Sequence, residues 1–333
     1  MPHDSKRRTA RKKSCLQVLT MEKKKLYGET LKEQYEASAK DRVHRFMLAD
    51  GAVRGAILYG TRMINEMRFN HELGILETLV LGRAFLGAGL MASGLKNRDR
   101  IVLKIDCSGP IRGLVVEANA FGEVRGYLKQ VPIPIEHPLE DTDLSSFFGA
   151  GMLSVIRHPT GAKAPFTSQV ALHYGNLAKD LAAYYVESEQ IPTAFRLGID
   201  FDREGNVAGA GGLFLQALPA ADDALARDLE DRMRDLPPIG AEFGKNRDPK
   251  EFVDIRFRKF RPVFTDDTRI EFMCHCNRER LRGLLTMLPA DELRDIAENG
   301  PFPVDLRCHF CNTLYEFSRE SIRRIYGQRY PDN

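Results

Sequence analysis

No stretch of the 333 residues comes near the roughly 20 consecutive apolar positions needed to span a bilayer. The basic N-terminus leads into no apolar signal core either. The sequence therefore predicts a chain that is neither secreted nor inserted in a membrane, with the cytoplasm as its location. Catalytic motifs are missing as well: there is no hydrolase elbow, no His-Glu-x-x-His helix and no convincing acid/base pair. Gly209-Ala-Gly-Gly212 lacks the Lys-Ser/Thr of a phosphate loop, and its strand-like neighbours point to close backbone packing. The reading that follows is of a protein that is not an enzyme. Net charge is also scarce, at +3, and it is unevenly placed. Residues 1–40 hold eleven Lys/Arg against five Asp/Glu, which leaves the remainder at −3. A body of that sign argues against nucleic-acid binding, although the tail alone can touch an anionic polymer. The tail itself reads as a solvated, disordered extension. Met21 is an alternative start, and an Arg-rich, acid-poor leader is also the pattern of an organelle-targeting peptide.

What is present is a globular composition, 43% hydrophobic and 29% charged, in a chain long enough for two domains. From residue 41 the sequence reads as a fold. Leu73, Leu76, Val80, Ala84 and Gly87 recur at helical spacing among small residues, as in a helix buried closely against a sheet. Alternating runs at 101–105, 113–117 and 123–128 predict a meander of antiparallel strands. Hairpins follow at 152–172 and 194–218, separated by a helix from Asn176 to Ser188. These elements predict an α+β domain over residues 41–220.

Residues 221–267 change character. Asp222 or Asp223 can cap a helix carrying Leu225, Leu229, Met233 and Leu236, which Pro237-Pro238 ends. Beyond it Phe243, Phe252, Ile255, Phe257, Phe260 and Phe264 are scattered among seven Lys/Arg. The stretch is too apolar for an inert tether and too charged to fold unaided, so it reads as a metastable, partly helical linker that is ordered only while docked.

The last unit, 268–333, carries Cys274-x-Cys276 and Cys308-x-x-Cys311. Two close pairs about thirty residues apart suit a closed tetrahedral zinc site with four cysteine ligands, one ion per chain. In an extended Cys-x-Cys the middle side chain points away from the sulfurs, which leaves His275 and His309 out of the shell. Asn277 can cap a helix bearing Leu281, Leu284, Leu285 and Leu288, a short helix spans Asp291–Glu298, and Ser318 caps a final one. So few apolar residues call for a staple, and a metal supplies it. A closed site has no open coordination position, so the metal is structural. Each pair is also near enough in sequence to oxidise to its own disulfide, Cys274 with Cys276 and Cys308 with Cys311. A structural zinc contributes on the order of 10–16 kcal/mol against a net domain stability of about 5–15 kcal/mol. Losing it should unfold this unit. Of the other cysteines, Cys15 lies in the tail and Cys107 sits in a turn as an incidental thiol.

Taken together and in order, His44-Arg45-Phe46 with Ala52-Val-Arg-Gly55, Tyr185-Val-Glu-Ser-Glu-Gln-Ile-Pro-Thr193, Gly211-Gly-Leu-Phe-Leu-Gln216 and the two cysteine motifs resemble the redox-regulated bacterial heat-shock holdases, the 33 kDa chaperonin family. The resemblance runs from about Val43 to Phe317; the tail has no counterpart, and Asn277 stands where a Ser is usual. It implies an ATP-independent holdase, inactive while reduced and zinc-bound. Oxidation of the four cysteines would eject zinc, unfold the linker and let unfolding client proteins bind, often to a dimer. Two other readings compete: a zinc-ribbon nucleic-acid binder, and a thiol–disulfide oxidoreductase using Cys308 and Cys311.

Overall fold

A computed structural model describes residues 40–135 and 143–330. The expected disordered extension, with Cys15 and Met21, thus lies outside the described residues except for Lys40. The described chain divides into two compact units, 40–272 and 273–330.

The first unit opens with β1 (Arg42–Leu48) and β2 (Val53–Tyr59), whose Val43, Phe46, Leu48, Val53 and Ile57 are buried. Two helices follow, α1 (Thr61–His71) and α2 (Ile75–Ala92). The anticipated meander is β3 (Arg100–Cys107), β4 (Gly113–Asn119) and β5 (Glu123–Leu128). After the short helix α3 (Ser145–Phe148) come the hairpin β6 (Gly151–His158) and β7 (Phe166–Ala171), then α4 (Leu177–Ser188). Strands β8 (Thr193–Phe201) and β9 (Val207–Ala217) form the next hairpin. Three helices follow, α5 (Asp223–Arg234), α6 (Ile239–Gly244) and α7 (Pro249–Arg256), before β10 (Val263–Arg269) and β11 (Glu271–Phe272).

The strands build two sheets, ordered β10-β1-β2-β9-β8 and β11-β5-β4-β3-β6-β7. Every pairing in them is antiparallel except β11 with β5. Helix α2 packs on β2, β8 and β9 of one sheet and on β3, β4 and β5 of the other. Its small residues make that approach possible: a Cβ on Gly89 would fall 2.9 Å from Leu58 Cδ1 of β2. At 18 residues α2 is long and apolar enough to cross a membrane by length and composition, although Glu77 and Arg83 interrupt its apolar residues. Yet 89% of it is buried inside the fold, where a core helix belongs.

Helix α1 has no counterpart among the sequence expectations, and the reason is its cap. Gly60 offers no side chain; instead the carboxylate of Asp41, from the entry to β1, accepts from Met63 N at 2.7 Å and Arg62 N at 3.3 Å. That cap is distant in sequence and leaves no local signature.

Residues 221–267 are docked on the first sheet. Asp222 caps α5 through Leu225 N at 2.8 Å, and Asp248 caps α7 through Lys250 N and Glu251 N, each at 2.9 Å. Leu229, Met233, Leu236, Ile239, Phe243, Phe252, Val253, Phe257 and Phe260 join one buried cluster with Phe46, Leu48, Val53, Ile57, Leu213 and Leu215 of β1, β2 and β9. Of the six side chains singled out in this segment, Phe243, Phe252, Phe257 and Phe260 are therefore core. Phe264 packs edge-on against Phe46 with ring centroids 5.7 Å apart, and Ile255 is 47% exposed on the outer side of α7. The glycine-rich run serves this docking: a Cβ on Gly211 would fall 2.1 Å from Phe243 Cε2. The boundary expected near Thr268 lies inside β10, which pairs with β1 from Met47↔Val263 to Arg42↔Arg269.

The second unit contains α8 (Arg278–Leu285), α9 (Ala290–Asn299), the hairpin β12 (Val304–Arg307) and β13 (Leu314–Phe317), and α10 (Arg319–Arg329). Asn277 and Ser318 cap α8 and α10 as their positions predict. Its buried apolar residues are few, chiefly Leu281, Leu285, Leu293, Phe317, Ile322 and Ile325.

Candidate metal centre

Cys274 and Cys276 lie on the extended stretch that leads into α8, and the Asn277 cap fixes where that stretch ends. Cys308 and Cys311 lie on the turn between β12 and β13. There Cys311 N and Asn312 N both donate to Cys308 O, at 3.3 and 2.7 Å, and Cys308 N donates to Thr313 O at 3.0 Å. Asn312 takes the left-handed φ of 56° that closes such a knuckle.

The two stretches bring the four sulfurs within 4.8 Å of one another. Cys274 Sγ lies 3.9 Å from Cys308 Sγ, and Cys276 Sγ lies 3.3 Å from Cys311 Sγ. Metal–thiolate bonds of about 2.3 Å, the zinc value, require tetrahedron edges of about 3.8 Å. The donor set and its spacing therefore fit one metal ion. Cys274, Cys276 and Cys311 are buried and Cys308 is partly exposed. Among the described residues neither His275 nor His309 joins this cluster.

The electrostatics point the same way. Hydrogen bonding with Cys276, and then with Cys308 and Cys311, pulls the Cys274 thiol far below its ordinary value. Contacts led by Cys274 push Cys276 and Cys311 well up. Cys308 sits at about 7, raised by Cys274 and lowered by Cys276 and Cys311. Four thiols this close cannot all ionise by themselves, and a central cation removes the conflict. Two hydroxyls that sequence reasoning passed over complete the surroundings. Tyr315 Oη lies 3.1 Å from Cys276 Sγ, and Thr313 Oγ1 lies 3.2 Å from Cys311 Sγ. Their spacing, two and four residues past Cys311, was the available signal. Cys107 stands apart, its thiol pushed up by burial, which suits an inert side chain.

Comparison with known proteins decides the family. The family model for "Hsp33 protein" matches residues 41–318. This chain belongs to the Hsp33 family. It is 32% identical to the 33 kDa chaperonin of Lachnoclostridium phytofermentans, over 86% of this chain and 98% of that one. It is 34% identical to the 33 kDa chaperonin of Thermotoga maritima, over 85% and 97%. The crystal structure of the 33 kDa chaperonin (heat shock protein 33 homolog) of Thermotoga maritima superposes with a TM-score of 0.80 at 33% identity, covering 88% of this chain and all of that one. The α+β fold with a C-terminal four-cysteine cluster is thus that of an Hsp33 chaperone. In this Hsp33 the cluster can bind a metal ion.

Proposed function

We propose that this Hsp33 is an ATP-independent holdase held inactive by zinc on Cys274, Cys276, Cys308 and Cys311 and activated by oxidation of those thiols. The observation that carries the reading is the gathering of four sulfurs from two stretches of a unit with few other buried apolar residues. Zinc, when bound, keeps all four as thiolates and ties the entry to α8 to the β12–β13 hairpin. A peroxide takes two electrons from each pair of thiols, forming one S–S bond and leaving as water. Two such steps join Cys274 to Cys276 and Cys308 to Cys311. Neighbour pairing uses up all four thiolates and so leaves nothing to hold the cross-pair contacts, 3.9 Å for Cys274 with Cys308 and 3.3 Å for Cys276 with Cys311. Disulfides that close such short loops constrain the chain far less than the metal clip they replace.

Only Met273 separates Cys274 from Phe272, a fully buried residue at the end of the first unit. Loss of order at the cysteines thus reaches β11 by covalent continuity. Release of residues 221–267 then bares Phe243, Phe252, Phe257 and Phe260 together with the sheet face they cover. This is the surface that captures unfolding clients and brings two oxidised chains together. The cytoplasm suits the switch, because its thiols must rest reduced.

Zinc content and suppression of client aggregation, measured side by side before and after peroxide with mild heat, test the proposal. About one zinc per chain should leave as suppression appears. Full suppression by the reduced, zinc-loaded chain would sink it.

A further inference from the structure

A groove of about 630 Å³ in the first unit is lined by α2, the first turn of α4, β8 and the α5–α6 connection. Among the described residues four cationic ones line it, Arg83 of α2, Lys179 of α4, Arg196 of β8 and Arg234 of α5, against one acid in the lining, Asp200. Arg196 is steadied by its Nη2 donating to Leu236 O at 3.1 Å, and Arg234 pairs at the surface with Asp231 at 3.0 Å. Arg83 differs from both. Among the described residues its buried Nε has no hydrogen-bond partner, and burial pushes its guanidinium below the ordinary value, with Asp143 as the opposing charge. A desolvated guanidinium nitrogen left without an acceptor is costly, and the group's planar fork matches a phosphate. Even with Asp143 opposing Arg83 and Asp231 paired with Arg234, the four cations along the groove outnumber these carboxylates and Asp200. The volume lies in the range of small-molecule sites, and Met233 and Ile239 add apolar wall.

We propose that this groove binds a small phosphate-bearing molecule, with its phosphate against Arg83 and the flanking charges of Lys179, Arg196 and Arg234, and that the bound molecule holds the 221–267 segment in place. Met233, Arg234 and Pro238 to Ala241 supply one wall, and α2, α4 and β8 supply the other, so the site is complete only while that segment is docked. This regulatory consequence rests on the release proposed above. A ligand at a hundred times its Kd, binding the docked state alone, makes undocking about a hundredfold rarer.

The test uses the full-length, zinc-loaded protein and pyrophosphate as the probe. Calorimetry at constant ionic strength should show one saturable site per chain, weakened at least tenfold in Arg83→Gln. The double variant Lys179→Gln/Arg234→Gln changes only exposed residues, should weaken binding too, and decides the matter if Arg83→Gln fails to fold. No saturable binding at millimolar pyrophosphate, equal binding by the variants, or equal binding of sulfate (an adventitious anion only) would overturn the site. Hydrogen exchange of α5 and α6 should slow on adding pyrophosphate in the wild type and not in the variants; binding without that slowing overturns the coupling. If the oxidised chain never suppresses aggregation, the holdase reading fails while calorimetry still decides the groove.

Discussion

Asp41 is 2% exposed, yet it carries an ionisable carboxyl directly beneath the first turn of α1. Burial, against the two backbone donors of Met63 and Arg62, raises its pKa from 3.8 to about 7, with the nearby Glu66 adding to the rise. A raised carboxyl means that the folded state keeps a proton the unfolded chain releases. Its stabilising contribution is therefore full below about pH 4 and falls away as pH rises to about 7. In Asp41→Asn this slope should vanish: the stability of wild type minus variant, from urea titrations, should decline between pH 4 and 7 and level off above. A difference that grows with pH over the same range would show that the helix-dipole and backbone contacts dominate instead. None of this could be read from Asp41 in sequence, where it is one acid among 46.

Among the elements, α5, α6 and α7 were partly legible. Only the start of α5 was read, from Asp222, and the apolar spacing of Leu225, Leu229, Met233 and Leu236 gives its inward face; α6 and α7 were not separated from the rest of the linker. What the pattern could not show is which phenylalanines are core, because Phe243 and Phe252 find their partners on β1, β2 and β9, far away in sequence. Phe243→Ala removes a fully buried ring and should cost about 3–5 kcal/mol. Against a net stability of about 5–15 kcal/mol that loosens the whole segment, so chemical denaturation should shift strongly and client aggregation should be suppressed without peroxide. Ile255→Ala, at an exposed site on α7, should shift stability by no more than about 0.5 kcal/mol. Equal effects from the two substitutions would contradict this assignment of core and surface.

For the whole molecule, the contrast between the two units is one of core. Residues 40–272 enclose α2 between two sheets, whereas residues 273–330 bury few apolar side chains beside the four-cysteine cluster. Chelation of the proposed zinc should therefore strip hydrogen-exchange protection from α8 to α10 while β1 to β4 and α2 keep theirs. Uniform protection after complete chelation would mean that the second unit holds by its own side chains. The sequence alone carried the family resemblance, the α+β class, the four-cysteine pattern and the caps at Asp222, Asn277 and Ser318, because spacing and capping are local and act over a few residues. Only the tertiary structure decided that the four sulfurs converge within 4.8 Å, that Asp41 caps a helix it does not adjoin, that the charged 221–267 segment covers a sheet face, and that Arg83 lines a groove. Each of these joins residues distant along the chain, and their geometry exists only once both sheets have formed.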